Sequence, residues 1–206
     1  MIRRKIHERV LNAVSVDELA DVYAQWADSY DNDLQGEMGY EAPVMVSRLL
    51  RANLPPDATR VLDAGCGTGL VGVALTEFGY SNIDGLDYSK EMLAQAELKG
   101  VYTFLAECDL MQPLDLAQDE YDAVTCLGTF TLGHVGPFAF RELNRVTRTG
   151  GYICFTVRDE AWKTDKYLDA ILLLVQEGLW VQISIDVVEF IQEEQSMCHL
   201  CLFRVC

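Results

Sequence analysis

A strand-like run that empties into three alternating glycines and then into a helix-forming run restricts this chain more than any other feature. The segment reads Val61-Leu62-Asp63-Ala64-Gly65-Cys66-Gly67-Thr68-Gly69-Leu70. Glycine is needed where a chain turns tightly or where a ligand approaches its backbone. The helix that follows offers unpaired N–H groups and the positive end of its dipole, which suits an anionic ligand group. In an open parallel sheet, ligands bind beyond the carboxyl ends of the strands, near the point where strand order reverses.

The rest of the chain supplies such a sheet. Apolar strand-like runs at 60–64, 82–86, 102–107, 123–127 and 152–157 alternate with helical runs at 70–78, 90–99, 137–146 and 165–177. That alternation implies parallel strands with helices on both faces. Two further strands, 180–191 and 197–205, are joined by the short acidic loop 192–196, which implies an antiparallel pair at the sheet edge. Before the first strand, Ser15 and Glu18 form a capping box ahead of Leu19, Val22, Tyr23 and Trp26 at helical spacing. The polar segment 30–39 reads as a loop, and Pro43 opens a second helix through Arg51. The expectation is an α/β, Rossmann-like, doubly wound sheet of about seven strands, mostly parallel with an antiparallel C-terminal edge pair, plus N-terminal helices. The 206 residues suit one domain, with 1–54 as a helical lid and 55–206 as the core.

The glycines leave two cofactor readings open. Gly67-Thr68-Gly69-Leu70-Val71-Gly72 also fits the dinucleotide pattern G-x-G-x-x-G, and Asp87 lies twenty residues past Gly67, where a dehydrogenase places its ribose-binding acid. Asp63 argues against the dinucleotide, because an acid near the end of a buried central strand is costly without polar partners. Asp87 ends the second strand, where its carboxylate can accept both ribose hydroxyls of a nucleoside. Asp109 ends the third and can accept an adenine amino group. Tyr88, Met92 and Leu110 supply apolar faces for the base, although Met92 serves equally well as core.

With these residues assembled, the chain resembles the class I S-adenosylmethionine-dependent methyltransferases. Asp63-x-Gly65-x-Gly67-x-Gly69 is similar to their first motif, and Asp87, Asp109, Tyr121-Asp122-Ala123-Val124 and Thr149-Gly150-Gly151 follow in the same order. Tyr23-x-x-Trp26-Ala27-x-x-Tyr30-Asp31 resembles a segment of one subset, the methyltransferase-like proteins encoded in the Williams–Beuren syndrome region. The resemblance implies S-adenosylmethionine as cofactor and S-adenosylhomocysteine as its product. It also implies that Tyr23, Trp26 and Tyr30 close over the cofactor; the same stripe is also an ordinary apolar helix face. Leu127 is grouped with the cofactor-binding residues.

Methyl transfer from a sulfonium is an in-line displacement, so it needs alignment and exclusion of water rather than a covalent group. The loop after the fourth strand, Leu127-Gly128-Thr129-Phe130-Thr131-Leu132-Gly133-His134, is where an acceptor would meet the methyl group. It lacks the Asn/Asp-Pro-Pro-Tyr/Phe and Pro-Cys patterns of nucleobase methylation. His134 is a candidate base for a hydroxyl acceptor, weighed against a loop histidine without a catalytic role. Tyr40, Thr129, Phe130 and Trp162 are candidate walls of a small-molecule pocket. Protein or RNA methylation, and cofactor binding without catalysis, are the alternatives.

Charge narrows the partners. The net charge of −16 opposes binding to nucleic acid and anionic membranes and favours a monomer. The start is charged and carries no apolar secretory core, so a cytoplasmic location is expected. Arg3, Arg4, Lys5 and Arg9 form the one basic cluster. The seven cysteines sit mostly in apolar runs and read as buried thiols. Cys198-x-x-Cys201 has no second ligand pair, and no metal site is expected.

Overall fold

The computed structural model describes residues 6, 9–10, 16–57, 59–131, 134–164 and 166–206. The predicted Ser15 cap, and Arg3, Arg4 and Lys5 of the basic cluster, lie outside them. Seven strands form one sheet in the order β3-β2-β1-β4-β5-β7-β6. They are β1 Arg60–Ala64, β2 Asn82–Asp87, β3 Phe104–Glu107, β4 Tyr121–Phe130, β5 Thr147–Arg158, β6 Trp180–Ile191 and β7 Ser196–Val205. The first five pair in parallel, whereas β7 lies antiparallel between β5 and β6. Strand order reverses at β1, which pairs with β2 on one side and β4 on the other. The glycine loop leaves the sheet at that switch point.

The helices are α1 Val16–Trp26, α2 Ala42–Asn53, α3 Leu70–Glu77, α4 Lys90–Lys99, α5 Ala139–Val146, α6 Asp159–Thr164 and α7 Tyr167–Gln176. Each face of the sheet carries its own apolar cluster. One joins Phe130, Phe140, Phe155, Tyr167, Trp180 and Phe203. The other joins Val22 and Trp26 of α1 and Val46 and Leu50 of α2 to Val61, Leu75 and Leu202. Cys201 belongs to the first cluster and Cys198 to the second. Three residues apart on a strand, they point to opposite faces and cannot share a metal.

One expectation needs correction. The segment predicted as a loop holds a π-helical turn, Asn32–Glu37. Its polarity misleads, because Asp33 is turned inward to accept from Trp26 Nε1 at 2.8 Å and Ser29 Oγ at 3.0 Å, while Leu34 is buried. The helix predicted over 165–177 is α7, and a separate short helix, α6, precedes it, parted from α7 where Lys166 adopts φ 57°. A left-handed residue cannot continue a right-handed helix.

Candidate functional site

The glycine loop is pinned before any ligand arrives. Gly65 and Cys66 both donate N–H to the Leu86 carbonyl, at 2.7 and 2.9 Å. Gly67 N–H reaches Asp87 Oδ2 at 2.7 Å, and Ser89 N–H reaches Oδ1 at 2.9 Å. Gly67 has φ +53°, and a Cβ there would meet nothing within 4 Å, because that face opens into a cleft. Each Asp87 oxygen uses one lone pair on the backbone and keeps another for a ligand. Burial pushes the Asp87 carboxyl upward, and the N–H donors of Ser89 and Gly67 oppose the shift.

The cleft has an empty volume of about 890 Å³, counting the open space at its mouth. Gly65, Gly67 and Asp87 form its floor; Tyr88, Met92, Asp109 and Leu110 line one side, and Leu127 and Thr129 the β4 side. Asp109 caps its own turn by accepting from Met111 N–H at 2.8 Å. Tyr23 and Tyr30 form the opposite wall together with Leu19.

Other predicted site residues stand outside this cleft. Asp63 is fully buried beneath the loop, accepting from Tyr102 Oη at 2.7 Å and Thr125 Oγ1 at 3.0 Å. Gly69 is the left-handed residue that precedes α3. Gly72, the third glycine of the dinucleotide pattern, makes room for the Tyr102 ring: a Cβ there would lie 2.4 Å from Cζ. That glycine therefore records packing. Trp26 lies behind the cleft wall, buried, with its indole N–H on Asp33. Tyr40 stands in a neighbouring chamber against Phe190. Phe130 is no pocket wall; it is 0 % exposed and packs on Phe140, Phe155 and Tyr167. Trp162 stacks on His199 with ring centroids 4.0 Å apart, away from the cleft. Aromatic residues look alike in sequence whether they wall a pocket or fill a core, and burial alone separates them.

His134 does line the cleft, edge-on to Tyr23 at 5.9 Å. Its Nε2 is buried without a hydrogen-bond partner among the described residues. Burial, with a smaller contribution from the Arg158 charge, holds the imidazole down to about 4.

Several contacts had no local signal. Asp31 accepts from the Thr68 hydroxyl of the glycine loop and pairs with Lys99 Nζ at 2.6 Å. Asp28 accepts from Gln95 at 2.8 Å. Together they tie the end of α1 across the loop to α4. Cys108, Met111 and Val135 complete the cleft lining.

A parallel sheet with a glycine loop at its switch point and carboxylates ending β1, β2 and, two residues on, β3 defines a nucleoside-binding α/β domain. The comparisons carry this to a family. A methyltransferase-domain family profile matches residues 62–155. Human methyltransferase-like protein 27 is 36 % identical over 185 residues, spanning 85 % of this chain and 75 % of that protein. The malonyl-[acyl-carrier protein] O-methyltransferase of Erwinia pyrifoliae is 32 % identical over 154 residues, spanning 71 % of this chain and 53 % of that enzyme. The crystal structure of an S-adenosylmethionine-dependent methyltransferase from Mesorhizobium loti superposes with a TM-score of 0.59 at 21 % identity, over 76 % of this chain and 96 % of that one. The chain belongs to the class I S-adenosylmethionine-dependent methyltransferases. Its cofactor is S-adenosylmethionine. No described helix is long and apolar enough to cross a membrane. Among the described residues, no group of three or more His, Cys, Asp or Glu side chains is placed to hold a metal ion.

Proposed function

We propose that the cleft above Gly65 and Gly67 is the cofactor site and that the methyl acceptor is a small organic molecule. The carrying observation is the convergence of the glycine loop, Asp87 and Asp109 on one enclosed volume at the carboxyl ends of β1, β2 and β3. Asp87 accepts the ribose hydroxyls with its free lone pairs. Asp109 faces the adenine amino group, and Met92, Tyr88 and Leu110 pack the ring. Tyr23 and Tyr30 cover the cofactor, held in place by the Asp31 contacts to Thr68 and Lys99. Asp63, Gly69 and Trp26 act at one remove, by shaping the loop and seating the lid. Residues 1–54 then serve as the lid and 55–206 as the core of one domain.

Bound S-adenosylmethionine supplies an electrophilic methyl group: the acceptor's lone pair forms the new bond as the bond to sulfur breaks and its electron pair returns to sulfur. The chain's part is to align the acceptor at Leu127, Gly128 and Thr129 and to exclude water with the tyrosine wall. His134 lies there as an uncharged wall residue. An enclosed, aromatic, weakly charged site and a net charge of −16 support a small acceptor over nucleic acid. The same charge supports a monomer, and the seven cysteines support a reducing, cytoplasmic setting.

Calorimetric titration tests the cofactor site. Wild type should bind S-adenosylmethionine and S-adenosylhomocysteine but not a reduced nicotinamide dinucleotide, and Asp87→Ala should weaken both adenosyl ligands at least tenfold. Unchanged affinity in Asp87→Ala would refute the placement. Binding without methyl incorporation from any metabolite extract would favour a non-catalytic cofactor-binding role.

A further inference from the structure

Beyond Tyr23 and Tyr30 lies a second chamber, whose empty volume of about 430 Å³ includes the open space at its mouth. Tyr23, Tyr30 and Gly128 line both it and the cofactor cleft. Among the described residues, its one basic lining residue is Arg158, the last residue of β5. Arg158 is only 8 % exposed, and its Nε has no hydrogen-bond partner among the described residues. The nearest carboxylate oxygens are Glu160 Oε2 at 3.8 Å from Nε and Glu194 Oε2 at 3.7 Å from Nη2. Both are beyond hydrogen-bonding length. The guanidinium carbon sits 5.4 Å from the centre of the Phe190 ring. By contrast, Arg60 and Arg145 at the protein surface each hold a carboxylate at 2.8 to 2.9 Å.

A guanidinium carries five donors in a rigid plane, and burying Nε without a hydrogen bond is costly unless a ligand completes it. Its fork matches a carboxylate with two parallel hydrogen bonds. With Glu160 and Glu194 close by, a singly charged carboxylate meets less repulsion than a dianionic phosphate would. The other walls include Trp26, Leu34, Tyr40 and Phe190, which suit an apolar body. We propose that Arg158 anchors a carboxylate of the methyl acceptor, whose apolar part fills this chamber and whose methylated atom reaches past Gly128 into the cleft. A carboxylate held in an ion pair is a poorer nucleophile, so the anchored group is the handle rather than the site of methylation. This rests on reading the cleft as the cofactor site.

The test uses the full chain saturated with S-adenosylhomocysteine. Hexanoate, phenylacetate and 3-indolepropionate are titrated against their uncharged amides, with affinity read by calorimetry or protein NMR. At least one acid should bind ten or more times tighter than its amide. Arg158→Gln should abolish that difference while its affinity for S-adenosylhomocysteine stays within threefold of wild type. A purely structural Arg158 would lower thermal stability in the variant without any acid-over-amide preference to lose. Should Arg158→Gln not fold, Arg158→Lys carries the comparison, with the preference reduced at least threefold because the fork is gone. Acids that bind no tighter than their amides, or a preference that survives in the variants, would overturn the anchor. If wild type fails to bind S-adenosylhomocysteine, the cofactor reading falls, and the acid–amide comparison made without it still decides the role of Arg158.

Discussion

At the scale of single residues, two titratable groups carry predictions. Asp63 is raised to about 7 by burial, against the lowering effect of its hydrogen bonds from Tyr102 and Thr125. Its folded value lies above the unfolded one, near 3.9. The folded state therefore holds the extra proton, and the stability Asp63 contributes is full below about pH 4 and lost as pH rises through about 7. Asp63→Asn does not titrate, and Thr125 can turn its hydroxyl to the Leu62 carbonyl at 3.4 Å. Urea unfolding should show wild type losing up to ~4 kcal/mol relative to Asp63→Asn between pH 4 and pH 8; parallel curves would show that Asp63 is ionised throughout. His134, held near 4, is uncharged at neutral pH but too weak a base to match that pH. Once an acceptor is known, His134→Asn should reduce kcat/KM less than about tenfold, where loss of a required base costs roughly a hundredfold or more. A larger loss, or a wild-type rate that steps between pH 5 and 7 and loses the step in the variant, would restore the histidine as base.

At the scale of elements, α1 and the segment just after it divide their aromatic residues between two tasks. Trp26 faces inward and fastens the following π-helical turn through Asp33, while Tyr23 and Tyr30 face the cleft. Trp26→Ala should cost about 3–5 kcal/mol, as deletion of a buried aromatic does, and lower Tm by roughly 10 °C in a chain of this size. Tyr23→Ala should leave Tm within a few degrees and raise the Kd of S-adenosylhomocysteine severalfold. A reversed pattern would mean that the tyrosines are structural and the tryptophan is the lid. Both measurements need only thermal melts and calorimetry. Asp31 belongs to the same device, because it is the ionic latch between α1, the glycine loop and α4.

At the scale of the whole molecule, charge is handled differently at the two ends of the sheet. At the amino end, Asp84 is buried and satisfied by Arg60 and Tyr121 at 2.8 to 3.0 Å. At the carboxyl end, where the cofactor site is proposed, Asp87 and Arg158 keep hydrogen-bonding capacity. The net charge of −16 predicts that any association with RNA or DNA is weak at 50 mM salt and lacks the steep salt dependence of phosphate binding; a steep slope in a binding assay would reopen the RNA alternative. Sedimentation at micromolar concentration should give the mass of one chain. Leu168, Leu172 and Leu173 of α7 are the exposed apolar residues that oppose this expectation, and a concentration-dependent mass would count against a monomer.

Sequence alone determined the strand–glycine–helix unit, the alternation that dictates a parallel sheet, the antiparallel tail and the acids that end β2 and β3. These are local or periodic signals, written by backbone sterics and by the two- and three-to-four-residue repeats of buried faces. The cofactor class was legible for the same reason, since a glycine loop can be recognised from adjacent residues. Tertiary structure alone decided which aromatics wall a cavity and which fill the core: Tyr23 and Phe130 were both candidate pocket residues in sequence and have opposite fates. It decided that Gly72 serves Tyr102, thirty residues away. It also brought Arg158 of β5 beside Tyr40, Phe190, Tyr23 and Tyr30. Such groupings depend on contacts between distant segments, and a buried donor short of a hydrogen bond can be seen only once its neighbours have positions in space.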